Sequence, residues 1–240
     1  MRAVPVLLAT ALLVCPHPCG AAVPDTHPLV IADFDNQPAA CFPAGWKTRG
    51  DQTEAERVYQ VASENDHQFL HAVARADSVQ IGIPVAFRLR DYPLLSWRWR
   101  VRELPAGADE RNAATNDSAA GVYVVFKGGL GGFLPRALKY VWSAREPCGS
   151  AFPSPRYSNA RIVVLESGTE GTGTWRTETV NVAEDYRRLF QSEPPDPHGI
   201  AVLTDADNTG SRAVADYDDF RALAATSADA VTEENGRQAR

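Results

Sequence analysis

Apolar side chains recur at every second position through much of this chain. From Val79 to Leu89 they fall at Val79, Ile81, Ile83, Val85, Phe87 and Leu89, the period of a half-buried β-strand. Pro84 has no amide hydrogen to give a ladder, so it marks an edge or a bulge in that strand. Just beyond it, Leu95, Trp97, Trp99 and Val101 alternate with Ser96, Arg98, Arg100 and Arg102. One face of this second strand is therefore aromatic and apolar, and the other cationic.

Shorter runs of the same kind are expected at Val58 to Ser63, Gln68 to Arg75, Val122 to Lys127, Leu138 to Ser143, Arg161 to Glu166, Trp175 to Val182, Gly199 to Thr204 and Ala213 to Arg221. Turn residues separate them, and no long helical pattern alternates with them. That combination predicts an all-β fold, a two-sheet antiparallel sandwich or jelly roll, in a single domain over residues 23–221. One short helix is expected near its end. Asn181 can cap it, Glu184 stands at capping-box spacing, and Tyr186, Leu189 and Phe190 share a face.

Two stretches break the pattern. Glu103 to Ala119 is polar and rich in Gly, Asp and Asn, longer than a connection requires, which reads as a binding loop or as disorder. The tail from Ala222 to Arg240 has no apolar period and reads as a disordered end.

The first residues carry a different signal. Arg2, an apolar run from Val4 to Val14, and the small residues Gly20, Ala21 and Ala22 make residues 1–22 a secretory signal peptide with the mature start at Val23. Cys15 and Cys19 follow Val14 and Pro18, not small residues, so a lipid anchor is not expected. Removal of Arg2 takes the formal charge from -6 to -7, and without a basic stripe neither nucleic acid nor an anionic membrane is an expected partner. Two cysteines remain, Cys41 and Cys148, in an oxidising compartment. They are expected either to pair with each other or to persist as two free thiols.

Candidate chemistry is sparse. The chain has no G-x-S-x-G elbow, H-E-x-x-H, P-loop or paired C-x-x-C. His67 and His71 lie four apart on a strand, which puts them on one face but roughly 13 Å from each other, so both read as structural or surface groups. The run Asp205-Ala-Asp207-Asn-Thr-Gly210, with Asp216 at the twelfth position, has the oxygen spacing of a calcium loop. Against it, the twelfth ligand is normally Glu, the fifth position is Thr and the flanks read as strands, and a tight hairpin rich in Asp and Gly is the commoner explanation. Arg98, Arg100 and Arg102 form a positive ladder to be neutralised by carboxylates such as Asp91, Glu103 and Glu178 or by an anionic or hydroxyl-rich ligand. Trp97, Trp99, Tyr140, Trp142 and Trp175 are either core or, where exposed on a concave sheet, a stacking platform for sugar rings.

At Trp97-Arg-Trp99, Tyr140-Val-Trp142 and Thr204-Asp-Ala-Asp-Asn-Thr-Gly210 the chain resembles a bacterial family of exported proteins, domain of unknown function family 3047. The resemblance runs from about Phe34 to about Phe220 and takes in Leu134-Pro-Arg136, Val182 to Phe190, and Asp216 to Arg221. It implies a jelly-roll sandwich similar to carbohydrate-binding modules and carries no assigned catalytic residues. The expectation that follows is a periplasmic or secreted, non-catalytic module binding a glycan or similar polar ligand. Its site would draw on Trp97, Arg98, Trp99, Arg100, Asp109, Asp117, Lys139, Tyr140 and Trp142, with Asp205, Asp207 and Asp216 holding any calcium. The alternatives are an envelope polysaccharide hydrolase or lyase, with Asp109, Asp117, Glu166 or Asp216 in acid and base roles, and a structural envelope protein without a small ligand.

Overall fold

A computed structural model describes residues 27–128 and 135–225. In chain order the elements are β1 (Leu29–Ala32), β2 (Lys47–Thr48), α1 (Gln52–Val58), β3 (Tyr59–Glu64), β4 (His67–Arg75), β5 (Ser78–Pro84), β6 (Leu94–Glu103), β7 (Ala120–Phe126), β8 (Arg136–Ser143), β9 (Ala151–Pro153), β10 (Ala160–Ser167), β11 (Arg176–Asn181), α2 (Val182–Phe190), β12 (Pro197–Asp205) and β13 (Arg212–Leu223). They form a jelly-roll β-sandwich. One sheet runs β11-β6-β13-β4-β3, with β1 also on β13; the other runs β2-β5-β12-β7-β8-β10-β9. The expected strands are all present.

Alternation decides which side chains lie between the sheets. Trp97 and Trp99 of β6 point the same way, inward, and meet Tyr140 and Trp142 of β8 across the gap at ring-centroid distances of 5.7 and 6.2 Å. Phe34, Trp46 and Phe220 make a second aromatic cluster within the same core. Phenols that enter this core are tied down by hydrogen bonds. Tyr59 donates to the Val79 carbonyl at 2.7 Å and accepts the Thr204 amide at 3.0 Å, which binds β3 of one sheet to β5 and β12 of the other. Trp99 Nε1 donates to Glu178 Oε1 at 3.0 Å, whereas Trp97 Nε1 has no partner among the described residues.

Several boundaries differ from the periodicity. The Val79 strand stops at Pro84, where the ladder loses its donor, although the alternation continues to Leu89. A first helix, α1, precedes β3; Asp51 caps it by accepting the Glu54 amide at 2.9 Å, and it buries only Ala55 and Val58, too few positions to show a period. α2 is capped as expected, Asn181 accepting from the Glu184 amide at 3.1 Å. The pairing of β8 with β10 is parallel, an exception to the antiparallel expectation made possible by β9, which turns back on β10. The last strand runs on to Leu223, past the expected start of the tail. The signal segment and residues 226–240 lie outside the described residues.

The polar stretch after β6 is a packed loop. Ala108, Glu110, Asn116, Asp117, Ser118 and Ala119 are buried in it. The cysteines are not bonded: both are free and exposed. Cys41 lies beside β3, where its carbonyl accepts the Val61 amide, while Cys148 precedes β9 within range of Glu166 and Glu178. β3 and β9 edge the two sheets at opposite ends of the sandwich, so the core separates the thiols.

Candidate functional site

The sandwich has two outward faces, and they differ in kind. On the six-stranded sheet, β13 is flanked by β6 and β4, and its outward aspartates stand between arginines on one side and histidines on the other. Asp216, fully buried, accepts from His71 Nδ1 at 2.6 Å and from the Nε atoms of Arg100 and Arg102 at 2.7 Å each. Burial alone would raise its pKa, but these three donors outweigh burial and hold it below the ordinary value. Asp218, two residues on, has His67 Nε2 at 2.6 Å without hydrogen-bond alignment, and its carboxylate oxygens have no hydrogen-bond donor among the described residues. Its pKa is raised, chiefly by burial. Trp175 stacks under this network, with the Arg98 and Arg100 guanidinium carbons 5.0 and 4.7 Å from its ring.

The arginine ladder is therefore neutralised from within the protein. Its partners are Asp216, Asp218, Asp219 and Glu64. The expected partners are engaged elsewhere: Asp91 with Arg88, Glu103 with Arg212, and Glu178 with Trp99. Trp97, Trp99, Tyr140 and Trp142 are each 0% exposed, so none can stack on a surface ligand. Arg98 and Arg100 belong to this internal ion-pair network, and Asp109 sits in the packed loop within 3.5 Å of Arg145.

The seven-stranded sheet presents a different face. Its outward positions are Ser78 and Gln80 on β5, Leu203 and Asp205 on β12, Gly121 and Tyr123 on β7, and Ala137 and Lys139 on β8, where register pairs Leu203 with Gln80 and Tyr123 with Lys139. The connection from β9 to β10 rises beside this floor. Ser154 Oγ accepts the Arg156 and Tyr157 amides at 3.3 Å, and Arg156 Nη1 reaches Asn208 Oδ1 at 2.8 Å. Between floor and loop lies a groove of about 470 Å³ whose lining includes Gln80, Tyr123, Leu203, Arg156, Tyr157 and Asn159. Tyr157 is 68% exposed on its wall. A cavity of this size with a mixed apolar and polar lining has the dimensions of a small-ligand site.

A smaller, polar cavity of about 80 Å³ adjoins it, sharing Ser78, Tyr123, Arg156, Tyr157, Ala160 and Leu203 and adding Lys139, Asn116, Asp205, Asp207 and Asn208. Lys139 is buried in its wall. Gly121 makes this possible, because a Cβ there would stand 3.0 Å from Lys139 Cε. The Lys139 ammonium donates to Ser118 Oγ at 3.1 Å and lies 5.6 Å from the Tyr123 ring. Burial acts to lower its pKa, yet Tyr123, Asp205 and Glu110 together hold it above the ordinary value. Burial pushes Asp205 up to about 7 against the pull of Lys139, with Asp117 and Asp207 adding to the rise.

The structure thus brings Lys139, Asp117, Asp205 and Asp207 to one end of the groove. Asp216 is not with them: it lies on the outer face of the opposite sheet, because β13 carries it across the sandwich after the 206–211 turn. Asp117 takes its place, donated by the packed loop. The carboxylates considered for catalysis are dispersed, with Asp109 and Asp117 in that loop, Glu166 on β10 and Asp216 in the arginine network. Gln80, Tyr123, Arg156 and Tyr157 were absent from the expected site. Tyr123 left a signal in the sequence, an aromatic in the outward phase of Val122 to Phe126.

Comparison with known proteins places the chain. The model of the family described as protein of unknown function, DUF3047, matches residues 44–221. The chain belongs to this family. No curated protein sequence matches it. In structure it is similar to the family 11 carbohydrate-binding module of a cellulosomal cellulase from Clostridium thermocellum, with a TM-score of 0.44 and 8% identity over 84% of this chain and 96% of that one. It is similar also to a carbohydrate-binding module specific for non-crystalline cellulose, family 28 (TM-score 0.42, 11% identity, 81% and 94% covered), and to the family 11 xylanase from Neocallimastix patriciarum (0.39, 11%, 75% and 96%). Among the described residues of this DUF3047 member, no helix is long and apolar enough to cross a membrane.

Proposed function

We propose that this protein is a glycan-binding module whose ligand lies in the groove on the outer face of the seven-stranded sheet. The observation that carries this reading is the exposed Tyr157 ring on the groove wall, opposite a floor of Tyr123, Leu203 and Gln80. A sugar ring has an apolar face and a hydroxylated rim. The tyrosines match the face, while Gln80, Asn159 and Arg156 offer amide and guanidinium groups to the hydroxyls. No nucleophile or acid–base pair is needed for such a role, and the site's two strongly anchored charges, Lys139 and Asp117, are held by Ser118 and by the Asn208 and Thr209 amides.

The same proposal includes export, with residues 1–22 removed and the module working in the periplasm or outside the cell. N-terminal sequencing of secreted material is expected to begin at Val23. For the ligand, a polysaccharide array followed by calorimetry on the mature chain tests the reading. Binding is expected to weaken about tenfold in Tyr157→Ala, the equivalent of roughly 1.4 kcal/mol for one lost stacking contact. An array without signal, or a Tyr157→Ala variant that binds as the wild type does, refutes it. Release of reducing ends from a bound polysaccharide would point instead to a hydrolase.

A further inference from the structure

At the far end of the groove, three carboxylates from two segments converge. Asp117 comes from the packed loop after β6, and Asp205 and Asp207 from the end of β12 and the turn that follows; one oxygen from each lies within 4.8 Å of the others. Asp117 shapes the turn. Its Oδ1 accepts the Asn208 amide at 3.2 Å, and its Oδ2 accepts the Thr209 amide at 2.8 Å and the Thr209 hydroxyl at 2.6 Å. Asp205 fastens the other side, its amide donating to the Ser118 carbonyl at 3.0 Å.

The second observation concerns Asp205 itself. Its residue is 5% exposed, and its Oδ1 is buried without a hydrogen-bond partner among the described residues. A buried carboxylate oxygen without a donor is costly, and proteins satisfy such groups with a proton, a water or an ion. The polar cavity of about 80 Å³ that Asp205 and Asp207 line, together with Asn116, has room for an ion and a water or two.

We propose that Asp117, Asp205 and Asp207 form a calcium site at the end of the groove. Oxygens bound 2.3–2.6 Å from one calcium ion lie at most about 5 Å apart, which is the spread these carboxylates show. The donor set is oxygen throughout, which favours a hard cation over zinc. Three carboxylates and the nearby Glu110 exceed the local positive charge of Lys139 and Arg156, and those two cations are already directed elsewhere, Lys139 to Ser118 and Arg156 to Asn208 and Ala113. The ion would meet the unpartnered Asp205 Oδ1 and would stand beside the glycan groove. This inference does not depend on the glycan reading.

The test uses the mature chain stripped with EDTA. Calorimetric titration with calcium is expected to show saturable binding with a dissociation constant of about 0.1–1 mM, typical of extracellular sites. Terbium is expected to bind with luminescence sensitised by Tyr123 and displaced by calcium. Asp207→Asn, at an exposed position, is expected to weaken calcium about tenfold or more, and Asp205→Asn likewise. Calcium should raise the melting temperature of the wild type and not that of either variant. Absence of heat and of a melting shift at about 5 mM calcium, or wild-type affinity in Asp207→Asn, overturns the site. Glycan titrations run in EDTA and in calcium separate the two proposals: no glycan binding in either buffer defeats the glycan reading alone.

Discussion

Asp216 and Asp218 stand two residues apart on one face of one strand, both fully buried, and should respond oppositely to loss of charge. Asp216 accepts three charge-assisted or histidine hydrogen bonds, and Arg100, only 6% exposed, relies on it. Asp216→Asn leaves that guanidinium with Glu64 alone, which is 2.9 Å from Nη1. Removing one partner from a buried ion pair costs about 3–5 kcal/mol, and the surviving Glu64 contact argues for the lower end. Asp218 carries a buried charge with no aligned donor. Asp218→Asn removes a desolvated charge and is expected to be neutral or to stabilise by about 1–3 kcal/mol at pH 8.

The pH dependence separates the two further. Asp216 has a lowered folded pKa, so its contribution is complete above the ordinary value of 3.8 and is lost as pH falls through the folded value. The Asp216→Asn deficit should therefore be present at both pH 5 and pH 8. Asp218 has a raised folded pKa, about 7, and so binds its proton more tightly folded than unfolded. Wild-type stability from that proton is complete below 3.8 and is lost as pH climbs through about 7, so the advantage of Asp218→Asn should be small at pH 5 and largest at pH 8. Urea unfolding of the three proteins at both pH values measures this. Equal losses in the two variants, or an Asp218→Asn difference independent of pH, would refute the assignment of one aspartate as satisfied and the other as not.

Two further outcomes follow from the core and the edges. Trp99→Phe is expected to cost about 1–3 kcal/mol more than Trp97→Phe in the same unfolding assay, because it strips Glu178 of a donor where Trp97 loses only an unpaired N–H; equal costs would contradict the bond. Labelling of the folded, non-reduced protein is expected to modify both Cys41 and Cys148, and a mass two hydrogens light with no labelling would show a bridge that this fold does not bring together.

How far the sequence could be read depended on the range of each interaction. Burial alternation in β6 and the Asn181 cap are local, and both were legible. The arginine ladder was legible as a charge that needed neutralising, but its partners were not. Arg100 pairs in register with Asp216 and Arg98 with Asp218, contacts more than a hundred residues apart that exist only because β13 inserts between β6 and β4. The calcium-like run was half legible for the same reason. Asp205 and Asp207 are neighbours in the turn, whereas their third companion, Asp117, arrives from a loop whose burial no local pattern announces.

The groove was hidden by a different cause, one that the alternation itself exposes. Adjacent residues on a strand face opposite sides, so Trp97 with Arg98, or Lys139 with Tyr140, cannot jointly line one ligand. A site assembled from both members of such pairs had to fail for one half of them. Once Trp97 and Tyr140 are fixed inward by their 5.7 Å contact, parity assigns Arg98 and Arg100 to one outer face and Lys139 to the other. It then draws in the register partners of Lys139: Tyr123 across β7, Ala201 beyond it on β12, and Gly82 on β5. Tyr123 stands on this floor beside the small Ala201 and Gly82, and the loop carrying Tyr157 closes one side of the groove. The same step that removes the tryptophans from the site therefore locates Tyr123 in its floor, while Tyr157 comes from a connection that strand parity does not reach.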